Sequence, residues 1–234
     1  MTVSEYTDTE DRRGRKEKVK QKENLPIDKE NATDLREIID ISSLRVLERE
    51  FSETLRKNID KLRIHSNYPE WVKEPWARVS PPKKFISKWI EKWSEVLLIY
   101  SKIKGKFLFT LGEIIGEWPF TSHDNSLKVD DLRKIVDCLV KKGLARWMDE
   151  AKNTFVIYWI SWDILEVMIL ETLKHAGLLY LRLDVLKEIL NGMPTEDILK
   201  IFNRMIRKGL ADWIIKNRAI KMKNLLIFQS ERNK

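Results

Sequence analysis

A seventeen-residue segment of this chain occurs twice, 66 residues apart. Asp131 to Trp147 reads DLRKIVDCLVKKGLARW, and Asp197 to Trp213 reads DILKIFNRMIRKGLADW. Eight positions are identical: Asp131/Asp197, Lys134/Lys200, Ile135/Ile201, Lys142/Lys208, Gly143/Gly209, Leu144/Leu210, Ala145/Ala211 and Trp147/Trp213. Self-similarity at one fixed offset implies two copies of a single supersecondary unit. In each copy an amphipathic helix begins with acidic residues and ends with basic ones, the order that the helix dipole favours. Gly143 and Gly209 stand where a left-handed residue closes such a helix.

The flanks of the two copies agree as well. Phe85, Ile86, Trp89, Ile90, Trp93, Val96, Leu97 and Tyr100 recur at helical spacing and predict a long amphipathic helix ending near Gly105. A short apolar run, Phe107 to Phe109, and a short helix, Leu111 to Gly116, lead into the first copy. After it, Leu144 to Met148 and Thr154 to Trp159 flank a charged turn and read as a hairpin. The second half repeats the order. Helices are expected over 163–175 and 184–190 with a short strand near 179–181 between them. A third helix follows over 195–208, with Thr195 as its N-cap. A second hairpin then turns at Lys216 to Arg218. Helix, helix, helix, hairpin is the winged-helix order, and Trp147 and Trp213 are expected to anchor each wing on its third helix.

The front of the chain differs. Residues 1–31 are dense in charge of both signs and poor in large apolar residues, too poor to offset chain entropy, so a disordered extension is expected. Over 32–66, Leu35, Ile38, Ile39, Leu44, Leu47, Phe51, Leu55, Ile59 and Leu62 form the stripe of an amphipathic helix. Its polar face is balanced in sign, which argues against anionic lipid. The stripe either enters a partner's groove or coiled coil, or packs on its own domain. Over 67–84 the prolines favour extended backbone around Trp71 and Trp76, and these aromatics need a pocket in this chain or in a partner. The fold class expected is mainly α with small β-hairpin wings. It comprises two winged-helix domains in tandem, 85–160 and 161–229, plus an N-terminal amphipathic helix.

No catalytic machinery is expected. One cysteine and three dispersed histidines (His65, His123, His175) offer no zinc spacing. Cys138 reads as a packing residue. Gly112 and Gly116 lack the Lys-Ser/Thr of a phosphate loop. The carboxylate pairs Asp130/Asp131 and Asp149/Glu150 are accounted for by helix dipole and turn. No metal and no cofactor is anticipated. There is no apolar run of about 20 residues for a membrane span and no apolar leader segment. The single cysteine fits a reducing, cytoplasmic setting. The net charge is +8, and residues 67–234 carry all of the excess. A mildly basic surface of that kind suits an acidic partner or nucleic acid without requiring either.

Residues 75–229 resemble the vacuolar protein sorting-associated protein 25 family, the small subunit of the ESCRT-II complex. The family's Lys-Lys-Gly-x-x-x-Trp-x-Asp pattern falls on Lys141, Lys142, Gly143, Trp147 and Asp149, and an apolar strand ending in Trp159 follows. Its opening proline-aromatic motif falls on Pro75-Trp76, with Pro81, Trp93 and Val96-Leu97-Leu98 in the places that follow. The resemblance implies tandem winged helices without catalysis. It implies that the proline-aromatic segment and the first module dock on a larger winged-helix ESCRT-II subunit, and that the second module engages an ESCRT-III subunit. Membrane recruitment would then be peripheral, through partners. By position the docking residues are Trp71, Pro75 and Trp76. The family's motif has two prolines and then two aromatics, whereas here Glu74-Pro75-Trp76-Ala77 keeps one of each, which leaves Trp71 to stand for the missing anchor. The extension 1–66 has no counterpart in the family pattern.

A second reading treats the chain as a winged-helix regulator that binds nucleic acid through a third helix. The first copy opposes it with Asp130, Asp131 and Asp137. The second copy offers Lys200, Arg204, Arg207 and Lys208, with Lys216 and Arg218 on its wing. These same four helix residues are the candidates for contact with an ESCRT-III subunit.

Overall fold

The computed structural model describes residues 41–64, 67–123, 125–215 and 218–223. The charged extension, the expected helix start before Ile41, Lys216 and the end of the second wing lie outside the described residues.

The two halves have one topology. In the first, α2 (Lys83–Lys104), β1 (Leu108–Thr110), α3 (Leu111–Ile115) and α4 (Val129–Lys141) precede a hairpin of β2 (Ala145–Trp147) and β3 (Thr154–Ile157). In the second, α5 (Trp162–Ala176), β4 (Tyr180–Arg182), α6 (Leu183–Ile189) and α7 (Thr195–Arg207) precede β5 (Ala211–Ile215) and β6 (Ala219–Met222). Each sheet is antiparallel, in the orders β1-β3-β2 and β4-β6-β5, so the last strand lies in the centre both times. Two tandem winged helices are therefore present.

The repeat explains the likeness residue by residue. Leu132, Ile135, Val136 and Leu139 line the buried face of α4, and Ile198, Ile201, Phe202 and Met205 line that of α7, each pair 66 residues apart. Each helix ends in the same double hydrogen bond. The Gly143 amide donates to the Val140 carbonyl (3.0 Å) and the Leu144 amide to Leu139 (2.9 Å). The Gly209 amide donates to Ile206 (2.9 Å) and the Leu210 amide to Met205 (2.9 Å). This is the Schellman closure, which needs a left-handed residue, and Gly143 has φ +71°. A Cβ there would meet open space, so Gly143→Ala should cost only the backbone strain, about 1 kcal/mol. Chemical denaturation would measure it.

The wings are anchored as expected, by different contacts. The Trp147 indole donates to Asp137 of α4 (2.8 Å) and meets Phe155 edge-on, whereas Trp213 meets Phe202 of α7 edge-on at 5.8 Å. One local expectation fails. Thr195 stands inside α7, and Pro194 is the cap residue, with φ −60° and no side-chain cap bond. Proline's preset φ suits the entry, and its carbonyl accepts the Asp197 and Ile198 amides (2.9 and 3.2 Å).

The modules do not float apart. Phe107 and Val156 of the first module belong to the core of the second. Phe107 stacks on Trp159 (5.2 Å), whose indole donates to the Lys106 carbonyl (3.1 Å). The Phe107 amide donates to the Asn191 carbonyl (3.1 Å). Beside it Gly192 has φ +79°, and a Cβ there would lie 3.1 Å from the Leu108 nitrogen, so the close approach requires glycine.

The N-terminal helix, α1 (Ile41–Ile64), packs on its own chain. Phe51, Leu55 and Ile59 are buried in the second module's core against α5 and α6. Arg56 pairs with Glu188 (2.7 Å) and Glu48 with Arg182 (3.2 Å). At its other end the Arg63 guanidinium donates twice to the Ile103 carbonyl (2.7 and 3.1 Å), in the last turn of α2, where the helix dipole is negative. The helix therefore straps one module to the other.

Candidate partner-docking site

Between α1 and α2 the chain is not extended as the prolines suggested. It forms two 3-10 turns, Glu70–Lys73 and Pro75–Arg78. The missing amide hydrogen and the ring bar proline from a helix interior, but its fixed φ suits the first residue of a turn, where no amide is needed, and Pro75 sits there. The turns are pinned hard to the first module. Val72 and Ala77 are buried. The Ala77 carbonyl accepts from both the Trp89 and Trp93 indoles (2.9 and 3.0 Å). Buried Arg78 donates to the Pro119 and Val72 carbonyls (2.8 and 3.2 Å). At the end of the segment the Ser80 hydroxyl donates to Asp131 of α4.

This platform sorts the three expected docking residues. Trp71 is half-buried, edge-on to Trp93 at 5.4 Å with Lys92 over its ring, so much of its surface is already covered by its own module. Pro75 and Trp76 point outward, and Trp76 is 60% exposed. Val79 and Phe85, close by in sequence, are also exposed. A large indole held in water by a rigid backbone is costly unless something covers it.

The repeated aspartates have a role that the sequence reading missed. Both are buried, Asp131 at 5% and Asp197 at 0% exposure. Each pairs with the lysine one turn on, Lys134 (2.9 Å) and Lys200 (2.7 Å). Each also grips whatever precedes its own module. Asp131 takes Ser80 of the proline-aromatic segment. Asp197 takes Arg146 (3.0 Å) and the Tyr158 hydroxyl (2.8 Å) from the first module's wing. Burial pushes both carboxyls up. For Asp131 the bonds from Lys134 and Ser80 outweigh it, and for Asp197 those from Lys200, Tyr158 and Arg146 do, so both titrate below the ordinary carboxylate range. The signal was legible in principle, since an Asp-x-x-Lys pair was repeated where a helix dipole alone asks for any acid.

The four cations suggested for the second module are mostly engaged. Lys200 holds Asp197. Arg204 pairs with Asp163 and with buried Glu166 (3.3 Å), and Lys208 with Glu166 (2.7 Å). Lys142, the first-copy equivalent of Lys208, likewise reaches Glu91 on α2 (3.4 Å). Arg207 is exposed and donates to the Asn203 carbonyl of its own helix (3.3 Å). Lys200, Arg204 and Arg207 line a cleft of about 460 Å³ together with Arg146, Tyr158 and Trp162. The first turn of α7 is thus bonded to the neighbouring wing, which a helix entering a DNA groove would need to shed.

Among the described residues no group of three or more His, Cys, Asp or Glu is arranged to hold a metal ion, and no helix is long and apolar enough to cross a membrane. Cys138 is partly buried, 3.8 Å from the Ser94 hydroxyl.

No family model matches the chain. It is 25% identical over 118 residues to vacuolar protein sorting-associated protein 25 of Arabidopsis thaliana, across 50% of this chain and 63% of that protein, so it spans less than two thirds of that relative. Its fold matches the crystal structure of subunit VPS25 of the endosomal trafficking complex ESCRT-II, with a TM-score of 0.53 and 21% identity, over 67% of this chain and 99% of that one. A chain in the crystal structure of the endosomal complex ESCRT-II (VPS22/VPS25/VPS36) matches with a TM-score of 0.51 and 17% identity, over 66% and 98%. With a repeated Gly-Leu-Ala-x-Trp closure, a proline-aromatic lead and two winged helices in series, the chain is similar to vacuolar protein sorting-associated protein 25, in sequence over half of its length and in fold over about two thirds.

Proposed function

We propose that this chain is a non-catalytic subunit of an ESCRT-II-type assembly that docks through Pro75 and Trp76 on a larger winged-helix subunit. The observation that carries the reading is the outward-facing Trp76 on a platform whose backbone is pinned through Ala77 and Arg78. Preorganisation of that kind lowers the entropic cost of binding, and an aromatic entering a pocket is the usual dominant anchor of an interface. Trp71 then supports the platform from behind. The second module, strapped to the first, is left to engage an ESCRT-III subunit, with Arg207 the least committed to its own chain of the four candidate cations. Membrane contact follows through those partners, on the cytoplasmic side. The nucleic-acid reading is weakened because Lys200, Arg204 and Lys208 would have to abandon buried or half-buried acids to reach phosphate.

Trp76→Ala tests the docking reading. Purified with the host's VPS22- and VPS36-type subunits, the variant should lose about 2 kcal/mol of affinity, roughly thirtyfold, by calorimetry. Its melting temperature should stay that of the parent, because the ring adds little to the chain's own core. Undiminished affinity would refute the assignment.

A further inference from the structure

The docking segment is fastened to the first module at its far end by one exposed hydroxyl, and that hydroxyl stands in a phosphorylatable setting. Ser80-Pro81 is the only Ser-Pro or Thr-Pro pair in the chain, and Lys83 follows at the third place beyond the serine. Proline-directed kinases take this pattern, with proline next and a basic residue two places later. They bind it as an exposed, extended strand. Here Val79, Ser80, Pro82, Lys83 and Lys84 are all exposed. The backbone is extended at Val79 (φ −84°, ψ 124°) and at Pro82 (φ −52°, ψ 151°).

We infer that Ser80 is a phosphoacceptor for a proline-directed kinase and that its phosphate releases the docking segment from α4. In the reaction the Ser80 oxygen attacks the γ-phosphorus of ATP. The new O–P bond forms as the bond to ADP breaks, and the hydroxyl proton leaves to the kinase's base. The product has no hydroxyl hydrogen to donate. Asp131, 5% exposed, loses that donor and faces a phosphate near −2 in charge. An attraction thereby becomes a repulsion.

The surroundings have room for the group. Ser80 opens on a cleft of about 510 Å³ lined also by Lys83, Lys128, Lys134, Ile86 and Ile90. Lys134, which now holds Asp131, lines the same cleft and can be recruited by the phosphate, and its departure weakens the clamp further. The arrangement is peculiar to the first copy. In the second, the equivalent Asp197 is held by Arg146, Tyr158 and Lys200, and no serine takes part. A phosphoacceptor thus joins the clamp in the first copy, shortly after the exposed Trp76 in sequence.

The test needs no partner protein, so its failure is separate from that of the docking reading. The full chain is incubated with a cyclin-dependent kinase, magnesium and ATP, and phosphate is located by mass spectrometry. One phosphate is expected at Ser80, and none in Ser80→Ala. Hydrogen exchange of the amides at 72–79 should then quicken by roughly tenfold, the loss of about one charge-assisted hydrogen bond. In Asp131→Asn the phosphate meets a neutral amide, and most of the quickening on phosphorylation should vanish. Absence of phosphate at Ser80 in the folded chain, or phosphate that leaves exchange unchanged, overturns the inference.

Discussion

Phe51→Ala is expected to lower the unfolding free energy by about 4 kcal/mol, at the upper end of what a large-to-small change in a close-packed site removes. Phe51 lies on the N-terminal helix, ahead of both modules, yet it is 0% exposed and sits in the second module's core with Leu55 and Ile59. Truncation removes the transfer energy of the ring and leaves a void between α1, α5 and α6 that rigid neighbours fill poorly. If the helix were an accessory resting on a finished domain, the loss would be small and confined to α1. The structure requires the reverse, because α1 supplies core residues and ties Ile103 of α2 through Arg63. A urea titration followed by tryptophan fluorescence and far-ultraviolet circular dichroism should show both signals shifting together. Loss of α1 alone, ahead of an unchanged main transition, would contradict this account.

Asp197→Ala should cost about 3 kcal/mol. The carboxylate is wholly buried and receives three donors from two modules, Arg146, Tyr158 and Lys200. Deleting it strands those donors. The figure is set at the low end for a broken buried pair because Arg146 and Lys200 are each partly in water and can turn outward. Asp197→Asn keeps the volume and one acceptor and should cost less. The pH dependence separates charge from packing. The folded carboxyls of Asp131 and Asp197 titrate below their unfolded value of about 4, so their contribution is whole above that pH. It is lost as pH falls below about 4, where the unfolded chain takes up protons first. Stability measured at pH 7, 5 and 3 should therefore drop at the last step in the parent, and Asp197→Asn should flatten that drop. An equal acid slope in both would assign the loss to other groups.

The extent to which the fold was readable follows from how local its signals are. The stripes of α4 and α7, their Schellman glycines and the wing tryptophans are set by neighbours within one or two turns, so spacing revealed them. The proline-aromatic segment reads as extended from proline's exclusion from helix interiors, whereas the same ring fits the first residue of a turn, as at Pro75. The roles of Asp131 and Asp197 escaped notice because their partners, Ser80, Arg146 and Tyr158, lie 39 to 51 positions away. The cations of α7 looked free for the same reason, since Glu166 stands about forty positions upstream.

The amino-acid order by itself determined that this protein is a tandem of two winged helices, because duplicated helix periodicity and closure are short-range properties that survive in any context. Tertiary structure alone decided that Trp76 faces water while Trp71 is half covered by its own module, that the leading helix completes a core instead of waiting for a partner, and that two repeated aspartates lock successive segments together. Those outcomes depend on burial and pairing between residues brought together only by folding, where desolvation makes a satisfied charge stabilising and an unsatisfied one costly.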